Sequence, residues 1–100
     1  MGGKPVIEYS EFCLNKAVYP GSALSILPSS DALIRNNHFH HNNSSAPISI
    51  DYSASPTFIN NLIEENHSNN NGITYFSNDG GNAKIINNTI VNNTCSLGAV

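Results

Sequence analysis

Residues 33–42 read LIRNNHFHHN, and the same phrase returns as TFINNLIEEN at 57–66 and KIINNTIVNN at 84–93, with a looser copy, VIEYSEFCLN, at 6–15. The shared pattern is apolar-x-Asn-Asn-x-apolar-x-x-Asn. Its anchors are Ile7, Ile34, Phe58 and Ile85, then Phe12, Phe39, Ile63 and Ile90, and it closes on Asn15, Asn42, Asn66 or Asn93. Successive copies lie 27, 24 and 27 residues apart. Regular self-similarity at such a period is the mark of stacked repeats, each burying its apolar face against its neighbours.

A second series falls between these phrases: GSALSIL (21–27), APISIDY (46–52), NGITYFS (71–77) and a truncated LGAV (97–100). Apolar and polar residues alternate, as in a strand with one buried face. Leu24 and Ile26, Ile48 and Ile50, and Ile73 and Tyr75 are the expected inward set. The stretches PSSD, SASP and SNDGGN between the two series are turn chemistry. No stretch has a helical period of useful length. One repeat is therefore about three strands and three turns, with like strands stacked in parallel about 4.8 Å apart. This predicts an all-β, three-faced parallel β-helix solenoid of about four coils of 24–27 residues without a capping helix. Residues 1–100 form a single segment, expected to belong to a longer repeat protein.

The asparagine pairs follow from that geometry. A bend between strands without a loop needs left-handed backbone angles, which Asn tolerates best after Gly. An amide repeated in every coil can also hydrogen-bond along the stack. Asn36, Asn60 and Asn87 are the expected first column of such a ladder, with Asn37, Asn61 and Asn88 beside them. The first coil carries Tyr9 and Ser10 there, so the ladder should begin at the second coil.

The phrases resemble right-handed parallel β-helix repeats of the pectin-lyase-like superfamily. FCLN (12–15) and FHHN (39–42) are similar to the FxxN element of polymorphic outer-membrane protein repeats, and GSAL (21–24) and LGAV (97–100) approximate their GGA[ILV] element. SPTFINNLIEEN (55–66) looks like the SPxIxNxxFxxN phrase of secreted bacterial β-helix proteins. The resemblance implies a right-handed coil, a secreted or cell-surface setting, and polysaccharide or surface glycan as the partner class. For the superfamily's enzymes it implies chemistry in a groove along one sheet, at the outward positions of the second series. Those are Ser25, Leu27, Ser49, Asp51, Thr74 and Phe76.

Glycoside hydrolysis needs two positioned carboxyls, and this outward set holds only Asp51. The expectation is a non-catalytic structural or binding segment, adhesin-like or glycan-contacting, with Asp51, Thr74 and Phe76 as a weak sugar-contact patch and no cofactor. The alternative is a fragment of a polysaccharide lyase or glycoside hydrolase whose active site lies outside this chain. A net charge of -3 with dispersed Lys4, Lys16, Arg35 and Lys84 argues against a nucleic-acid surface. No apolar run reaches the roughly 20 residues of a membrane helix.

The histidines remain. With Phe39 inward, His38 and His40 point outward, and stacking places Glu11 beside His38 and Cys13 and Glu64 on either side of His40. Cys13, His38, His40 and Glu64 offer thiolate, imidazole and carboxylate, a weak zinc-type set on a flat face. His41 and Glu65 are expected to pair at the next corner. Cys13 and Cys95 belong to the first and last coils, roughly 14 Å apart and beyond the disulfide limit of about 7 Å, so both thiols should be free. Asn-x-Ser/Thr triplets at Asn43, Asn66 and Asn87 arise readily in so polar a chain. Open coil ends template further strands, so end-to-end association or continuation with more coils is expected.

Overall fold

The computed structural model describes residues 3–51, 53–69, 72, 74–76 (backbone only) and 82–96. Three strands of the first coil are β1 (Val6–Glu8), β2 (Glu11–Cys13) and β3 (Leu24–Ile26). The second coil holds β4 (Leu33–Arg35), β5 (His38–His40), β6 (Asn43–Ser44) and β7 (Ile48–Ile50). The third repeats it with β8 (Thr57–Ile59), β9 (Leu62–Glu64), β10 (His67–Ser68) and β11 (Thr74–Phe76). β12 (Lys84–Ile86), β13 (Thr89–Val91) and β14 (Thr94–Cys95) follow. Like strands stack into four parallel sheets, ordered β1-β4-β8-β12, β2-β5-β9-β13, β6-β10-β14 and β3-β7-β11. The chain is a parallel β-helix, and the ten-residue phrase is its unit.

The inward anchors align as the repeat requires. Ile7 faces Ile34, Ile34 faces Phe58, and Phe58 faces Ile85. Phe12, Phe39, Ile63 and Ile90 form the neighbouring column. Phe12 and Phe39 stack face to face, centroids 4.7 Å apart. Burial is deepest in the middle coils, where Ile34, Phe39 and Ile50 are fully enclosed. In the last coil the same columns surface: Ile85 is 51% and Ile90 39% exposed.

The unit has one more strand than its sequence suggests. The phrase bends twice. The first bend falls at Tyr9, Asn36, Asn60 and Asn87, with φ of 51°, 54°, 56° and 51°. The second falls at Leu14, His41, Glu65 and Asn92, with φ of 58°, 55°, 52° and 54°. Beyond it lie the two-residue strands β6, β10 and β14, which turn the expected three faces into four.

Those bends divide the asparagine roles. Asn36, Asn60 and Asn87 take the left-handed turn, and their side chains have no hydrogen bond among the described residues. The ladder is built by the second member of each pair alone. Asn37 Nδ2 donates to Ile7 O at 2.9 Å and to Asn61 Oδ1 at 3.1 Å, while its backbone N–H donates to the same oxygen at 3.0 Å. Asn61 repeats this toward Ile34 O and Asn88 Oδ1. The column starts in the second coil, where Ser10 N–H donates to Asn37 Oδ1.

A second ladder, Asn15–Asn42–Asn66–Asn93, runs through the closing residue of the phrase with the same bonds. Asn42 and Asn66 are fully buried, yet every amide group on them is paired. A buried amide left unpaired costs several kcal/mol, about 1–3 by mutational measure. The ladders avoid that and lock adjacent coils in register.

The second series needs a correction. β11 pairs Thr74 with Ile48, Tyr75 with Ser49, and Phe76 with Ile50. Thr74 and Phe76 therefore lie in the columns of the buried Leu24–Ile48 and Ile26–Ile50, and Tyr75 in that of Ser25–Ser49. Their alternation is offset by one residue from the expected inward Ile73 and Tyr75. The cause is turn length: eight residues separate Asn66 from Thr74 but six separate Asn42 from Ile48, so counting from the phrase misplaces the strand. Ile73, the SNDGG stretch and LGAV lie outside the described residues.

Candidate functional site: an outward histidine–carboxylate ribbon

The second sheet presents an outward face whose side chains come from the positions flanking the inward Phe12, Phe39 and Ile63. Register places Glu11, His38 and Leu62 in one column, and Cys13, His40 and Glu64 in the next. The side chains do not pair along these columns. His38 Nε2 reaches Glu64 Oε2 at 2.8 Å, and His40 Nε2 reaches Glu11 Oε1 at 2.5 Å. Each contact crosses diagonally to the next column and coil, within reach of long side chains across parallel strands. The two imidazoles lie against each other, centroids 4.2 Å apart.

At the second bend His41 joins the ribbon. Its Nδ1 is 2.7 Å from His40 Nδ1, and its Nε2 is 2.9 Å from Glu65 Oε2. A continuous chain therefore runs Glu11–His40–His41–Glu65. His40, by its hydrogen bond and then its charge, holds the Glu11 carboxyl below the usual carboxylate range, and His38 adds weakly in the same sense. That pairing favours the fold above the normal carboxylate range and is lost as pH falls through the lowered value.

The ribbon rearranges the metal-type set expected from sequence. His38 and Glu64 engage each other, while Glu11, Cys13 and His40 converge, each offering a ligand atom within 4.8 Å of the others. Glu11 thus stands where Glu64 was expected. It was missed because register shows which Cα atoms are level, whereas ring rotation decides which side chains meet. Cys13 and Cys95 are both free thiols.

The sugar-contact patch expected from sequence lies partly outside the described residues. Phe76 sits in the column of Ile26 and Ile50, both fully enclosed, and the side chains of Thr74 and Phe76 lie outside the described residues. Asp51 follows β7, half-buried, its N–H bonded to Ile26 O. A different concavity follows the first bend. It is an open groove lined by Tyr9, Glu11, Asn36, His38 and Asn60, with Leu62 at one side. Tyr9 is 76% exposed. The only sequence cue was a tyrosine standing where later coils have asparagine. Of the glycosylation triplets, Asn66 is sealed inside the second ladder.

Comparison with protein families matches residues 2–100 to the family described as a right handed beta helix region. The chain belongs to that family, and its solenoid is right-handed. Comparison with curated proteins gives no match, and comparison with solved structures gives none. No helix among the described residues is long and apolar enough to cross a membrane.

Proposed function

We propose that the chain is a non-catalytic structural and binding segment of a secreted or cell-surface β-helix protein, which contacts glycan along the groove of the first bend. The observation that carries this reading is the groove itself. The exposed Tyr9 ring offers a flat apolar surface, and Asn36, Asn60 and Glu11 offer polar groups beside it. Sugars are held by that combination of stacking and hydrogen bonding. The acids nearest it, Glu11 and Glu64, are each tied to an imidazole, and Glu8 to Arg35 at 2.6 Å, rather than set across a cleft as an acid and base. The extracellular setting is supported by the resemblance of residues 55–66 to phrases of secreted β-helix proteins.

The open end of the stack takes a further coil, supplied for the isolated chain by a second copy. Asn88 and Asn93 have backbone N–H groups without partners among the described residues, beside exposed Ile85 and Ile90. The opposite end offers half-buried Ile7 and Phe12 and the Oδ1 of Asn15, which has no partner among the described residues.

A glycan array probed with the intact chain and with Tyr9→Asn tests the binding role. Asparagine occupies this left-handed position in later coils, so the variant keeps the backbone and removes only the ring. Binding by the wild type that falls about tenfold in the variant is expected, roughly 1.4 kcal/mol. Equal binding by both, or turnover of any polysaccharide, sinks the reading.

A further inference from the structure

The geometry points to a divalent metal site on the outer face of the second sheet, in which Glu11, Cys13 and His40 hold a zinc-type ion. Glu11 and Cys13 project from alternate positions of β2, and His40 projects from β5, directly level with Cys13. Their ligand atoms already lie within 4.8 Å of one another. In a tetrahedral zinc site, with metal–sulfur near 2.3 Å and metal–nitrogen or –oxygen near 2.0 Å, ligand atoms stand roughly 3.3–3.6 Å apart. The Glu11–His40 pair, in contact at 2.5 Å, has to open and any longer separation to Cys13 has to close, each by about an ångström, which side-chain rotation supplies without strand movement.

Three features favour this set over the other acid–imidazole contacts of the face. It includes a thiol, which selects zinc and its borderline neighbours over calcium and magnesium. Cys13 is half-buried beside an imidazole that is itself only 17% exposed, so these two ligands are held in place, while Glu11, 60% exposed, is free to turn toward them. His41 bonds the far nitrogen of the His40 ring, the outer contact that orients a ligating histidine. Three protein ligands leave a fourth position open to water or a further ligand. Binding replaces the His40–Glu11 hydrogen bond with metal bonds and releases the Cys13 thiol proton to solvent, with no change of oxidation state. The site adjoins the proposed glycan contact at Tyr9: Glu11 belongs to both, and His38, which lines the groove, packs against His40.

Cobalt(II) is the probe, because a thiolate ligand gives it a sulfur-to-metal charge-transfer band and tetrahedral geometry gives it intense visible bands. The wild-type chain should take up one equivalent with both signatures, and zinc should bleach them. Cys13→Ser should abolish the charge-transfer band and weaken binding about 100-fold, His40→Gln should weaken it similarly, and Cys95→Ser should change neither. Should Cys13→Ser fail to fold, alkylation of the wild type decides: zinc protects Cys13 and leaves Cys95 reactive. Absence of the charge-transfer band in the wild type, uptake unaffected by Cys13→Ser, or equal alkylation of both thiols with and without zinc overturns the assignment.

Discussion

At the scale of single residues, the strained positions are the bends. Each coil bends twice with positive φ, and a residue other than Gly or Asn pays roughly 1–2 kcal/mol for that region. The first bend mostly uses Asn and the second mostly does not: Leu14, His41 and Glu65 occupy it before Asn92 does. Leu14 is 78% exposed, so its side chain gives little burial in return for φ of 58°. Leu14→Asn is accordingly expected to raise stability by roughly 0.5–1 kcal/mol, read as a higher urea midpoint at unchanged slope. A midpoint that stays put or falls would show that the leucine has contacts its exposure hides.

Between elements, the ladders bind coil to coil more specifically than the apolar columns do. Ile, Phe and Leu interchange within a column, because burial is proportional to area and indifferent to direction. An amide is directional. Asn66 Nδ2 faces Phe39 O at 3.0 Å and Asn93 Oδ1 at 3.1 Å. Asn66→Asp keeps the shape and turns this donor into an acceptor between two oxygens. It should cost about 3 kcal/mol or more in denaturant unfolding, because the carboxylate is buried and repelled, or is protonated at some cost. The exposed Arg35–Glu8 pair spans the same coil step, yet surface pairs contribute only about 0–1 kcal/mol. A loss in Asn66→Asp no larger than that would reduce the ladder to a surface-like role.

For the whole molecule, the gradient of burial along the stack governs behaviour. The middle coils are closed, while the last coil shows Ile85 and Ile90 beside amide donors of both ladders that have no partner among the described residues. Sheet edges with unpaired backbone groups are templates for further strands. The 100-residue chain should therefore self-associate end to end in sedimentation velocity, and the double variant Ile85→Lys/Ile90→Lys should return it to monomer while leaving the far-UV spectrum unchanged. A wild type that sediments as a monomer at high concentration would refute this.

The sequence by itself determined the solenoid, its period and its inward columns, because a stack of coils demands large apolar residues and an amide at fixed intervals. Ile34, Phe39, Phe58 and Ile63 are legible for that reason, as are Asn37 and Asn61. The tertiary structure alone decided three things. The second bend, and with it the fourth strand, is held by hydrogen bonds between coils that force left-handed angles on whatever residue is there, so Leu14, His41 and Glu65 carry no common mark. The register of β11 depends on turn lengths that differ between coils, so alternation alone placed Phe76 one position out. The diagonal partners on the histidine face follow from ring rotation across strands, which neither spacing nor register encodes, and that is why Glu11 rather than Glu64 meets Cys13 and His40.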